Sequence, residues 1–198
     1  MTAVRDWLRE CHLSGVVLAW ATAAALVVIS WLLPQHIPVT FREFSADPRS
    51  ALFGLAGVGL TKVLQRDTEN VDYLTPRPVQ TRRAVVWIAA VLAFGAAALI
   101  AELTDIAQPL AVLRSSGYSI AIVTILARLG SLDLGSLTVF LIALVNWIFG
   151  ISTTNLQPHQ WAILMTPVTG TTTVISLAIV AISGVWWAAY KQPYLAAD

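Results

Sequence analysis

The sequence predicts an all-α integral membrane protein. It has six transmembrane helices, an N-terminal amphipathic interfacial helix, and a short re-entrant hairpin before the last helix. Three observations carry this. The chain contains several apolar runs of about 20 residues without a charge, each long enough to cross a hydrocarbon core about 30 Å thick. Its 198 residues are 57% hydrophobic and only 12% charged, with mean hydropathy +0.73; soluble chains run at about 45–50% and roughly 25%. Lys and Arg also fall unevenly between alternate connecting segments, which sets an orientation.

The elements follow in order. Val4, Trp7, Leu8 and Cys11 recur at helical spacing among Arg5, Asp6, Arg9 and Glu10. This fits an amphipathic helix on the membrane surface, or equally a solvated extension of the first span. Leu13 to Leu33 is the first span, a retained helix without a small-residue cleavage site, and Pro34 and Pro38 end it. After the loop Gln35 to Ser50, Ala51 to Leu64 is apolar, short and rich in glycine. Gly54, Gly57 and Gly59 point to close packing against another helix. Gln65 to Arg83 is the most polar stretch. Ala84 to Ala101 is the third span, ended by Glu102 and Asp105. Pro109 to Leu129 is the fourth, and a tight turn at Gly130 to Asp133 leads to the fifth, Leu134 to Ile151. Gly170 to Tyr190 is the sixth, followed by a polar tail, 191–198. The whole chain, 1–198, reads as one transmembrane domain: 1–12 the interfacial helix, 13–190 the six-helix region with the loop 65–83, and 191–198 a cytoplasmic tail.

With the N-terminus inside, Arg5, Arg9, Lys62, Arg66, Arg77, Arg82, Arg83, Arg128 and Lys191 are cytoplasmic, and Arg42, Arg49 and Arg114 are outside. Six spans then leave both termini in the cytoplasm.

The residues argue against chemistry within the chain. A net charge of +1 gives no electrostatic footprint for nucleic acid. Cys11 is the only cysteine, so no cysteine cluster can hold a metal. His12, His36 and His159 all lie outside the middle of a span, and no phosphate-binding glycine loop or HExxH motif is present. No metal site, no catalytic residue and no cofactor is expected. Glu102, Asp105 and Arg114 read as interfacial charges flanking spans. Arg128 and Asp133 read as an inner-face cap. Asn146 and Thr124 are mid-span polar groups expected to hydrogen bond between packed helices.

Two segments look purposeful. In the loop 65–83, Pro76 and Pro78 bracket Arg77, Arg82 and Arg83 abut the third span, and Asp72 and Tyr73 precede them. Prolines fix backbone direction, so a rigid charged knob on the cytoplasmic face suits docking to a soluble partner; a simple positive-inside anchor is the competing reading. Residues 155–167 are too apolar for a solvated loop and too short to cross. Pro158 and Pro167 bound them, with His159 and an interfacial Trp161 between. They read as a re-entrant or interfacial hairpin, or as an extension of span six.

Together these features resemble the membrane subunit of type-2 ABC exporters. The shared features are six spans, an N-terminal amphipathic helix, Arg77-Pro78 followed by Arg82-Arg83 before span three, and short re-entrant helices before span six. The resemblance implies a permease subunit in a bacterial inner membrane, paired with a second permease subunit, the same or similar, within the lipid bilayer. A separate ABC ATPase subunit, carrying ATP and Mg, would dock on Asp72, Tyr73, Pro76, Arg77, Pro78, Arg82 and Arg83. Pro158, His159, Trp161 and Pro167 would form an outer gate. The cargo would be apolar or amphipathic. The chain would not be an enzyme by itself. The alternative is a non-transporting assembly or immunity subunit that uses its glycine-rich second span to bind another membrane protein.

Overall fold

The computed structural model describes residues 13–33, 37–38, 45–46, 49, 52–64, 79–129, 132–149, 164 and 170–189. Helix α1 is Leu13–Leu32. A 3-10 helix, Phe53–Leu60, runs into the short α2, Thr61–Leu64. Helices α3 (Val79–Leu103), α4 (Pro109–Arg128), α5 (Leu132–Phe149) and α6 (Gly170–Ala188) complete the bundle. The described strands are two-residue segments, β1 (Ile37–Pro38) and β2 (Ser45–Ala46), paired antiparallel with Ile37 opposite Ala46.

Four helices are long and apolar enough to cross a membrane: Gly15–Leu32, Arg83–Leu103, Pro109–Arg128 and Gly170–Ala188. They fit a helical membrane protein. The surface agrees. Trp31, Leu32, Leu92, Leu103, Ile148, Ile182 and Val185 are exposed, while Ser30, Ser115, Ser116, Ser119, Thr124, Thr173, Ser176 and Ser183 are buried. Polar inside and apolar outside is the arrangement a lipid solvent selects, because a hydroxyl facing hydrocarbon finds no partner there.

Helix α4 is the axis of the fold, touching α6, the 3-10 helix, α5 and α3. Val112, Ile120, Ala121, Val123 and Ala127 on α4 join Ala90, Ala93, Phe94 and Ala97 of α3 in the apolar core. On its flank, α1 packs on α3, and Trp20 donates its indole N–H to the Ala89 carbonyl at 3.2 Å.

The corner between α3 and α4 shows why each helix stops and starts there. Asp105 adopts a left-handed φ of 53°, which a short polar side chain tolerates. The Asp105 N–H then donates to Glu102 O and the Ile106 N–H to Ala101 O, at 3.1 and 3.0 Å. This is the Schellman arrangement, with buried Ile106 covering buried Ala101. Pro109 next occupies the first turn of α4, where a missing N–H costs nothing.

The segment expected as a second span is where local geometry departs from an ordinary helix. Phe53, Gly54, Ala56, Gly57, Gly59 and Leu60 are buried, whereas Leu55 and Thr61 are half-buried and Val58 is exposed. The outward positions recur every third residue, which matches 3.0 residues per turn and not 3.6. The glycines permit the close approach that the sequence suggests. A Cβ on Gly57 would lie 2.5 Å from the Ser119 carbonyl oxygen, and one on Gly59 would lie 2.8 Å from Thr22 Cβ.

The boundaries differ modestly from the expected ones. Helix α3 starts at Val79, so Arg82 and Arg83 lie in its opening turns and not in the loop. A residue after proline is free to enter a helix, and 79–83 extend α3 below its apolar part.

Candidate functional site

Several buried polar groups gather at one end of the bundle, where α4 and α6 begin and α5 ends. Arg114 lies five residues into α4, about 8 Å from the helix start at 1.5 Å per residue. Expected as a charge flanking its span, it is enclosed by protein. Its side chain is 1% exposed, while Glu102 and Asp105 remain exposed. The backbone at Arg114 is packed against α6, where its carbonyl accepts the Ser176 hydroxyl at 3.0 Å.

Arg114 Nη2 donates to the carbonyl of Leu164 at 3.2 Å. The N–H of the same residue donates to Asn146 Oδ1 at 3.3 Å. Leu164 is a turn residue, 4% exposed, between α5 and α6. One of its methyl groups fills the space beside Gly54, where an added Cβ would lie 2.8 Å from Leu164 Cδ1. A non-helical residue thus sits within the bundle with its backbone donor and its backbone acceptor each met by a side chain. That is the condition under which irregular backbone is tolerated at membrane depth. Asn146 meets it from α5, and its own amide N–H donates to Ile142 O at 2.9 Å, so Oδ1 is aimed by its helix.

A second arginine ties the same end together. Buried Arg49 donates from Nη1 to Ile106 O at 2.8 Å and from Nη2 to Leu33 O at 2.7 Å. Both acceptors are carbonyls at or beyond helix C-terminal ends, where a cation also meets the negative end of the helix dipole. The planar guanidinium serves two divergent acceptors at once. The end of α1 and the α3–α4 corner are therefore fastened to the chain four residues before the 3-10 helix.

At the opposite end of α4, Arg128 stacks over the Trp186 ring at 5.2 Å from the centroid. Asp133 lies exposed in the first turn of α5, where a carboxylate favours the dipole. Between the two ends, Trp87 of α3 donates its indole N–H to Thr124 Oγ1 at 3.5 Å, the hydrogen bond between helices expected of Thr124.

Of the sequence-predicted sites, Val4, Trp7, Leu8 and Cys11, then Asp72, Tyr73, Pro76, Arg77 and Pro78, and also Pro158, His159, Trp161 and Pro167 lie outside the described residues. Arg82 and Arg83 share the start of α3. Sequence reasoning names Arg114 but not its burial, and it misses Leu164. For Arg114 a signal existed: a charge inside an otherwise apolar 20-residue run is by default a functional group. For Leu164 none did, since its importance lies in its backbone.

No group of three or more His, Cys, Asp or Glu side chains that could hold a metal occurs among the described residues. No protein-family model, curated protein or solved structure matches the chain.

Proposed function

We propose that this chain is the permease subunit of a type-2 ABC exporter, moving an apolar or amphipathic substrate with energy from a separate ATPase. The observation that supports the reading best is Leu164, a buried turn residue ahead of α6 whose carbonyl and N–H are met by Arg114 and Asn146. We read it as the seat of a re-entrant segment before the last span, a feature that a simple six-helix anchor has no use for.

The rest of the layout supports it. Six apolar segments follow one another: α1, Phe53–Leu64, α3, α4, α5 and α6. Read as six crossings, they return the chain to its starting side, which the Lys and Arg distribution makes cytoplasmic in a bacterial inner membrane. The outward faces of the described helices are apolar, so a pathway between two such subunits receives a greasy lining from this chain. Residues 65–78 then face the ATPase subunit, with its ATP and Mg, and lead directly into Arg82 and Arg83 on α3. A push on the loop is delivered to a span without a flexible spacer. The segment around Pro158, His159, Trp161 and Pro167 acts as the outer gate, seated through Leu164.

The competing reading, a non-transporting assembly or immunity subunit, needs a free face on the glycine-rich segment. Those glycines are filled from within the chain by Leu164, Ser119 and Thr22.

The test is copurification. Full-length protein extracted from its native membrane should carry a Walker-type ATPase. Charge reversal of Arg77, Arg82 and Arg83 together to Glu should release it. A complex that survives this reversal intact refutes the docking assignment.

A further inference from the structure

We infer that the Phe53–Leu60 3-10 helix is a two-state strut that couples the position of Leu64 to the seating of Leu164. Its place in transport rests on the permease reading; the coupling itself does not.

The length of this element is the first observation. 3-10 runs beyond three or four residues are uncommon because their hydrogen bonds are poorly aligned, and long ones mark hinges or strain. Here the run covers eight residues and passes directly into α-helix at Thr61. The alternative conformation is therefore already nucleated at one end, so propagating it requires no new nucleus.

What holds the 3-10 form is contact in register. Gly54 and Gly57 are three residues apart and share one edge, at about 120° per residue. Gly54 receives Leu164, and Gly57 receives Ser119, whose hydroxyl accepts the Gly57 N–H at 2.6 Å. On a neighbouring edge Gly59 receives Thr22 of α1. At about 100° per residue the two glycines fall about 60° out of register. An α-helical strut can keep Ser119 or Leu164 in place, not both.

The ends give the device a direction. Arg49, four residues upstream, is fastened to Leu33 and Ile106. At Leu64 the strut enters the segment 65–78. Eight residues rise about 16 Å as a 3-10 helix and about 12 Å as an α-helix. Compression from the Leu64 end therefore favours the α form, and Leu164 loses its seat at Gly54. Tension favours the 3-10 form and keeps Leu164 in place.

The experiment uses the full chain in lipid nanodiscs, with Cys11→Ser and Ala143→Cys, and measures the rate of labelling by N-ethylmaleimide. Ala143 is buried beside Gly54 where Leu164 is seated, so a thiol there reports the seat and leaves the Leu164 side chain in place. Gly59→Ala is the perturbation. Its Cβ meets Thr22 of α1, about 10 Å along the strut from Gly54 at 2.0 Å per residue. A two-state strut converts as a unit, so labelling at position 143 rises at least tenfold. Gly95→Ala, whose Cβ meets nothing within 4 Å, leaves it unchanged. A folded Gly59→Ala protein that labels at the parental rate overturns the inference. Should Gly59→Ala fail to fold, Ser119→Ala removes the hydroxyl that holds Gly57 without adding bulk. It should raise labelling severalfold, and an unchanged rate again overturns the strut. Addition of the ATPase subunit with ATP separates the two readings. If position 143 responds to Gly59→Ala but never to nucleotide, the strut stands and the permease reading falls.

Discussion

Replacing Arg114 with Met and Asn146 with Leu, singly and together, measures how strongly the bundle holds the Leu164 peptide. The single Arg114→Met value mixes opposed terms. Removing a buried cation relieves a desolvation penalty of several kcal/mol. It also strands a buried carbonyl, at a cost of about 1–3 kcal/mol. Asn146→Leu strands the Leu164 N–H in the same way. The double-mutant cycle cancels whatever each side chain does alone and keeps what they do together. Both grip the backbone of one residue, through the two peptide units that flank Leu164, at 3.2 and 3.3 Å. Once one grip is lost and Leu164 shifts, the other has little left to lose. Hydrogen bonds inside membrane proteins average about 0.6 kcal/mol, with a maximum near 1.7, and a charged donor sits at the upper end. The expected coupling is therefore about 1 kcal/mol, a factor of roughly five in the folding equilibrium at 1.4 kcal/mol per decade. Unfolding of the full chain in mixed detergent and SDS micelles, followed by circular dichroism, gives the four free energies. Distant, independent sites add within about 0.3–0.5 kcal/mol. A cycle that closes within that margin refutes the picture of one residue held from both sides.

Further predictions follow from the same contacts. Gly57→Ala should destabilise the fold by about 1–3 kcal/mol through overpacking against Ser119, while Gly95→Ala, in open space on α3, should be neutral or stabilising by up to about 1 kcal/mol; SDS unfolding separates them. Arg49→Lys should lower stability measurably, because one ammonium cannot span the Leu33 and Ile106 carbonyls; equal midpoints for Lys and Arg would rule out the two-acceptor tie. A cycle of Arg128→Gln with Trp186→Leu should yield a coupling of about 0.5–1 kcal/mol, the value of a half-exposed cation–π pair, and zero coupling would make that stack incidental.

The apolar segments were readable because lipid imposes length and polarity directly on sequence. Leu13–Leu32, Pro109–Arg128 and Gly170–Ala188 fall within two residues of their expected limits. The glycines at 54, 57 and 59 announced close packing, and the structure names their neighbours. Hidden from sequence was the three-residue period of Phe53–Leu60, because a run with glycine at every second or third position has too few side chains to display a period. Arg114 was misread because hydropathy locates a residue along a helix but not around it. Leu164 was invisible for a different reason: a leucine in an apolar stretch gives no hint that its peptide group, held by residues 18 and 50 positions away, is what matters. Proximity of that kind is a property of the fold.

The stretch Phe53–Leu64 also bears on biogenesis. At 2.0 Å per 3-10 residue and 1.5 Å per α residue it reaches about 22 Å, well short of a bilayer core about 30 Å thick. A nascent segment of that length, with its N–H at Gly57 awaiting a hydroxyl from Ser119, has no stable resting place in lipid when it leaves the ribosome. Read as the second crossing of the proposed permease, it is expected to enter the membrane only with α4, after the 62 further residues to Ser119 have been made. Halting translation between α3 and α4 should leave it on the side from which it came.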